Sequence, residues 1–420
     1  MKTVLRVLVG ARGLAYPGPG RESVPYPALQ SADFRRLFLA ALGSALGSQM
    51  SVFALGVAVY LATGSVASLA GIWAVRVASR LFVQPFTGAL ADRWDRRRLL
   101  IGGYLLSGLI SASFALVMVS PFFVYPLVFL AQSLEGLVGP ALGAVVPRIL
   151  PKSSLVSANA LLGLGQQTMA ALGPALAGLL YAHLGPVPLF LFDGLSFGAV
   201  ALAVWTLLAE VGAIPAGSSV SLFAEVREGF FYALRDRAVL LLLGLSFLIS
   251  LFWRTVEIAA VPLALREASL GTEGLGLLFS NLALGGTLAS AWLGARARAV
   301  PGLSRIALFY GLVGLPFLLS AGWAEGWAWA LAFFCSGAAF SVASAFANAY
   351  LQARVPAAFL GRVLGLVRMA LALGVLPVLV GIEPLTRELG AAGVLPLAAA
   401  VLLLGAAVGA LIGGRVDLRA

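Results

Sequence analysis

Charge is what this sequence has least of. Asp, Glu, Lys and Arg make up 11% of its 420 residues, against about 25% in an ordinary soluble domain. With 61% of the chain hydrophobic, too few polar groups remain to cover a water-facing surface. A soluble enzyme, a disordered chain and a nucleic-acid-binding protein are excluded on that ground. Lysine occurs only as Lys2 and Lys152, so no Gly-rich phosphate loop ending in Lys-Ser/Thr can be built and no ATP site is expected. One histidine, His183, and one cysteine, Cys335, leave no transition-metal cluster, no Cys-His nucleophile pair and no internal disulfide. No cofactor and no enzymatic activity are expected.

What the chain does have is apolar runs of spanning length. A helix crosses the hydrocarbon core in about 20 residues, and breaks at Pro/Gly pairs and charge clusters leave twelve such runs. They are 37–62, 66–90, 98–120, 122–147, 154–184, 187–209, 238–263, 273–295, 303–322, 326–350, 358–381 and 391–414. The reading is an all-α integral membrane protein. Residues 1–30 form an N-terminal tail, extended and mobile by its prolines Pro17, Pro19, Pro25 and Pro27.

The basic residues orient it. With the N-terminus in the cytoplasm, 22 of the 28 Lys and Arg fall in inside segments, and only Arg266 and Arg387 fall outside. That asymmetry places both termini in the cytoplasm. The longest polar interruption divides the chain into a first half, 31–210, a cytoplasmic linker, 211–237, a second half, 238–414, and a tail, 415–420. Within the linker Leu222, Val226, Phe230 and Leu234 form one apolar stripe, with Arg227, Glu228, Arg235 and Asp236 on the other side. That pattern fits an amphipathic helix, either in the membrane interface or packed on cytoplasmic loops. The halves echo each other: Pro151 and Leu155 precede one Gly-rich run, Pro356 and Leu360 another. Duplicated halves with a site at their interface are a common plan in secondary transporters.

The loop between the second and third runs reads Gly88-Ala89-Leu90-Ala91-Asp92-Arg93-Trp94-Asp95-Arg96-Arg97-Arg98. Its ordered Gly-x-Leu-Ala-Asp-Arg-x-x-Arg-Arg resembles the signature loop of the major facilitator superfamily. Asp95 stands where that family usually has Gly. The resemblance implies twelve helices in two pseudo-symmetric six-helix halves, both termini inside, and a conformational-gating role for Gly88, Asp92, Arg93 and Arg97. Asp33-Phe34-Arg35-Arg36-Leu37, Asn159-Ala160-Leu161, Gly173-Pro174-Ala175-Leu176-Ala177-Gly178 and Glu228-Gly229-Phe230 are similar to the exporter branch that includes macrolide and enterobactin exporters. Export is what this second likeness implies.

Ionisable residues at membrane depth are functional candidates, because each costs at least about 2.5–3.5 kcal/mol at a helix centre. Glu135 has no Lys or Arg within four residues, and by the family resemblance its helix lines the central cavity. It is the first candidate for proton coupling, against a neutral packing role. Arg254 and Glu257 share a face, so they bind substrate or a proton, or neutralise each other. Arg76 and Arg80 share a face of the second helix, and Arg368 is central in the eleventh. These three are gate residues or charge partners, and Asp193 is read as structural. Gln49, Gln166 and Asn348 are cavity candidates, and Phe252 a wall for a bulky ligand. Trp323, Trp327 and Trp329 are read as interface anchors.

The expected function is proton-coupled efflux of a bulky amphiphilic small molecule (drug, macrolide or siderophore-like) by a monomer in the cell membrane, with small molecule, protons and lipid bilayer as partners and neither ATP nor nucleic acid. The alternatives are an importer of the same fold and, from another class, a membrane receptor or enzyme.

Overall fold

The chain is described by a computed structural model over residues 27–83, 95–117, 120–143, 145–207, 230–296, 300–320 and 326–417. Ser31 opens the first helix by accepting the Phe34 N–H on its hydroxyl at 3.3 Å, an N-cap that satisfies an otherwise orphaned donor. This helix, α1 (Ala32–Thr63), ends where Gly64 turns left-handed (φ 65°) and returns its N–H to the Tyr60 carbonyl at 2.7 Å. Then come α2 (Val66–Phe82), α3 (Arg96–Val117), α4 (Pro121–Gly143), α5 (Leu155–Leu184) and α6 (Val187–Trp205).

Asp236 caps α7 (Arg237–Pro262), its carboxylate accepting from the Ala238 and Val239 N–H groups at 2.9 and 3.4 Å. A π turn at Leu263–Glu267 extends α7. Next are α8 (Gly271–Arg296), α9 (Leu303–Leu319) and α10 (Gly326–Arg354). The chain closes with Ala357–Leu373 and Val375–Asp417, the latter broken at Gly390, whose φ of 71° suits a residue without Cβ. We take α11 as Ala357–Leu373 with its continuation 375–389, and α12 as 391–417.

A helix is described in each of the twelve expected runs, in the second only as far as Phe82. Among the described residues, eight stretches are long and apolar enough to cross a membrane on their own, and the last of these, Phe359–Asp417, contains two spans. Large apolar side chains such as Leu195, Val380 and Leu404 point outward and are 69–82% exposed. Such exposure of large apolar side chains along nearly every helix is what a surface solvated by acyl chains requires.

In the first half α6 packs on α1 and α3, α5 on α1, and α4 on α2 and α3. In the second half α8 packs on α10, α9 on α10 and on Val375–Asp417, and α7 on both closing helices. The halves join through α5 with α8 and through α2 with α11. Exchanging the halves swaps these two seams, so the six-plus-six pseudo-symmetry is explicit. At the α5–α8 seam the backbones nearly touch: a Cβ on Gly178 would lie 2.3 Å from the Thr272 carbonyl oxygen, and one on Gly276 2.3 Å from that of Pro174. The Ala175 N–H donates to Ser280 Oγ at 2.9 Å, and Thr272 Oγ1 donates to the Gly178 carbonyl at 3.2 Å. At the α2–α11 seam the Glu383 carboxylate accepts from the Ala67 N–H at 2.8 Å and from Ser65 Oγ at 3.3 Å. Both contacts lie at the end of the bundle opposite the arginine-rich loops. The seam is closed there.

Of the linker, residues 230–235 are helical, with Phe230, Phe231 and Leu234 exposed and Ala233 buried. The rest of the expected amphipathic helix, and the 1–26 part of the tail, lie outside the described residues.

Candidate functional site

A cavity of about 900 Å³ opens among α1 to α6, from mid-depth toward the arginine-rich end. Its walls carry an unusual density of hydroxyls and amides for a segment this apolar. Ser44, Ser48 and Ser51 follow one another at helical spacing on α1, and Ser107 and Ser111 do so on α3. Gln49, Gln132, Gln166 and Gln167 add amides. Polar groups spaced three and four apart on an otherwise apolar helix share a face, a signal that the sequence itself carries.

Glu135 faces this cavity and accepts the Gln132 Nε2–H at 2.7 Å. Arg76 and Arg80 line the same space from α2. Arg76 is electrostatically coupled to Glu135, Arg80, Glu257 and Arg254, so three arginines and two glutamates form one cluster reaching across the seam. Arg254 and Glu257, on α7 in the other half, are ion-paired with each other, the mutual-neutralisation alternative. Arg254 also sits 3.8 Å above the Trp73 ring of α2, with Arg76 5.1 Å from the same ring. A cation over an aromatic face is worth up to about 2 kcal/mol when desolvated. Trp73 therefore bridges the halves beside the acid, a role the one-dimensional pattern did not reveal.

Asp193 is 3% exposed on the cavity wall, with its carboxylate accepting from Ser111 Oγ at 2.6 Å and Ser48 Oγ at 3.1 Å. It ties α6 to α1 and α3. Gln49 and Gln166 line the cavity. Other expected residues are elsewhere. Phe252 is fully buried against Phe317 and Trp253, so it is core of the second half and no cavity wall. The face of α7 that carries it turns toward α9. Asn348 is exposed and donates to the Ser344 carbonyl of its own helix at 2.9 Å. Neither Asn348 nor Arg368, which is exposed on α11, borders the cavity. Arg97 donates to the Trp205 carbonyl, binding α3 to the end of α6 within one half. Gly88, Asp92 and Arg93 lie outside the described residues. Trp329, expected at the interface, is 2% exposed and lies tilted against Phe317, ring centroids 6.4 Å apart. Two residues beyond the exposed Trp327, it points the opposite way round the helix. Among the described residues no group of three His, Cys, Asp or Glu is placed to hold a metal ion.

The sequence matches the family described as Major Facilitator Superfamily over residues 37–378. The chain belongs to the major facilitator superfamily. It is a multi-pass membrane transporter, and its resemblance to that family is thereby confirmed. No curated protein matches it. Among solved structures it is similar to the nucleoside transporter NupG (TM-score 0.71, 11% identity, 91% of this chain and 98% of that one). It is also similar to the POT family transporter PepTSo (TM-score 0.66, 14% identity, 92% and 99%). A third is a bacterial homolog of the human lysosomal transporter Spinster, inward-facing and unoccupied (TM-score 0.64, 13% identity, 93% and 95%). At these identities the likeness is one of fold.

Proposed function

We propose that this superfamily member is a proton-coupled secondary transporter that exports a bulky amphiphilic small molecule by alternating access, with both termini cytoplasmic in the cell membrane. The observation that carries the reading is Glu135, an acid open to a 900 Å³ cavity and coupled through Arg76 to charges on the opposite half. A volume of that size suits a drug-sized ligand. A proton on Glu135 leaves the three arginines facing Glu257 alone. Repulsion among them then loosens the Trp73–Arg254 contact across the seam, and rocking of the halves exchanges the side from which the cavity is open. Return of the proton to the other side restores the pairing.

A second reading is uptake of a polar solute. The serine and glutamine lining favours it, since such groups reward hydrogen-bonding substrates more than apolar ones, and the neighbours NupG and PepTSo are named as nucleoside and POT family transporters. A compound panel separates the readings. Cells with and without the protein are compared for growth inhibition by amphiphilic toxins and for uptake of labelled polar solutes. Protection without enhanced uptake supports export. Enhanced uptake with no protection overturns it.

A further inference from the structure

At the arginine-rich end of the second half, the starts and ends of α7, α10 and α12 enclose a pocket of about 870 Å³. Arg235, Arg237, Arg354 and Arg415 line it, with Asp236 as its one acid. Asp236 is already committed twice: it caps α7 through the Ala238 N–H at 2.9 Å, and it binds Arg354 Nε at 2.9 Å. Among the described residues no acid is paired with Arg235, Arg237 or Arg415. Asp417, which follows Val416 at the edge of this pocket, is spent on capping α9 through the Leu303 and Ser304 N–H groups at 3.0 and 3.1 Å. Three arginines thus converge on one opening with no ion-pair partner among the described residues.

Arg237 and Ile412 also border a second cavity, of about 690 Å³, which continues from the first down the outer surface between α7 and α12. Its walls are apolar: Leu240, Gly244, Leu248, Leu404, Gly405 and Val408. Leu404 and Val408 are 69% and 56% exposed, and a Cβ on Gly244 would meet nothing within 4 Å. From Arg237 to Leu248 the trough follows α7 for roughly 16 Å at 1.5 Å per residue, about half of the ~30 Å hydrocarbon core. It has the depth of one leaflet.

We propose that the two cavities form one site for an anionic phospholipid, its headgroup phosphate held by Arg235, Arg237 and Arg415 and one acyl chain lying in the α7–α12 trough. Guanidinium groups match phosphate oxygens in a bidentate fork. A soluble phosphate would use the upper pocket alone; an apolar trough that starts at the same arginine and runs one leaflet deep is complementary to a lipid. The loop charges orient this end toward the cytoplasmic leaflet, which is rich in anionic lipid.

The test uses the full-length protein in neutral detergent. It is titrated with phosphatidylglycerol, with phosphatidylcholine of the same chains, and with glycerol 3-phosphate, while native mass spectrometry counts bound lipid and a melting curve reports stability. Phosphatidylglycerol is expected to bind more tightly than phosphatidylcholine and to raise the melting temperature further, and glycerol 3-phosphate to do neither. Arg237→Gln with Arg415→Gln should weaken phosphatidylglycerol binding about thirtyfold, each cation contributing about fivefold, and the weaker binding of zwitterionic phosphatidylcholine by much less. Gly244→Leu, which fills the trough and leaves every arginine in place, should reduce phosphatidylglycerol binding as well. Equal binding of the two lipids by the parent protein overturns the proposal whether or not the variants fold. So does a full response to glycerol 3-phosphate, which would make the pocket a site for free anions.

Discussion

Adding a single methyl group at Gly276 should push the transporter out of the state described above. The new Cβ of Gly276→Ala would stand 2.3 Å from the Pro174 carbonyl oxygen and 3.2 Å from Gly178 Cα. Both are backbone atoms, so no rotamer change relieves the overlap. To restore ordinary contact at about 3.4 Å, α5 and α8 must part by roughly 1 Å at the closed end of the seam. Overpacking of this kind costs about 1–3 kcal/mol, and the cost falls on the closed conformation, because the two helices separate when that end opens. The ratio of closed to open populations should then fall by about 5- to 150-fold. Cavity labelling measures it: in a Cys335→Ser background, Ser107→Cys provides a single thiol on the wall. A membrane-impermeant reagent added from the end that α5 and α8 close should modify this thiol faster with Gly276→Ala than without. Unchanged labelling, in a protein whose melting temperature has dropped, would mean that the helices separate without opening a path. The seam would then not be a gate.

Three further outcomes are expected. Glu383→Gln weakens the charge-assisted bonds to Ala67 and Ser65 across the other seam, worth about 1–2 kcal/mol; the same labelling assay should show a roughly tenfold shift in the same direction, and a melting-temperature change with no labelling change would assign Glu383 to stability alone. Asp193→Ala leaves the Ser111 and Ser48 hydroxyls without their acceptor in a buried wall and should destabilise by about 1–3 kcal/mol, seen as a lowered melting temperature; an unaltered melting curve would contradict the tie between α6, α1 and α3. Phe252→Ala should cost about 3–5 kcal/mol and leave the KM of the folded fraction unchanged, whereas a raised KM at constant stability would return Phe252 to the substrate site.

Much of the architecture was legible from a few residue classes. Scarcity of charge gave the membrane, apolar runs gave the spans, and one ordered loop from Gly88 to Arg98 pointed to the superfamily that the match over residues 37–378 establishes. Glu135, Arg76 and Arg80 could be picked out because charge at membrane depth is expensive enough to need a reason. What failed was facing. Phe252 and Trp329 turned out to be core because a residue's direction round a helix is set by which neighbours pack against it, and hydropathy is high on all sides of a membrane helix. Asn348 is polar at depth yet satisfied by its own helix at Ser344, an internal solution invisible to spacing. Trp73, Glu383 and the Gly178–Gly276 contact act between residues more than ninety positions apart, and only the tertiary arrangement brings them together.

The central claim is that Glu135 couples substrate movement to protons. It is tested most directly in proteoliposomes holding purified protein and a substrate found by the compound panel, with a pH difference of one unit imposed and no other energy source. One proton exchanged per substrate can sustain up to about tenfold accumulation, since one pH unit is worth about 1.4 kcal/mol. The parent protein should approach that ratio and lose it when the pH difference is collapsed. Glu135→Gln, which keeps the shape and the Gln132 contact but carries no titratable proton, should bind substrate within a few-fold of the parent and only equilibrate it. If Glu135→Gln still accumulates substrate against its gradient with the parent's pH profile, the proton travels by another route and Glu135 is a structural residue.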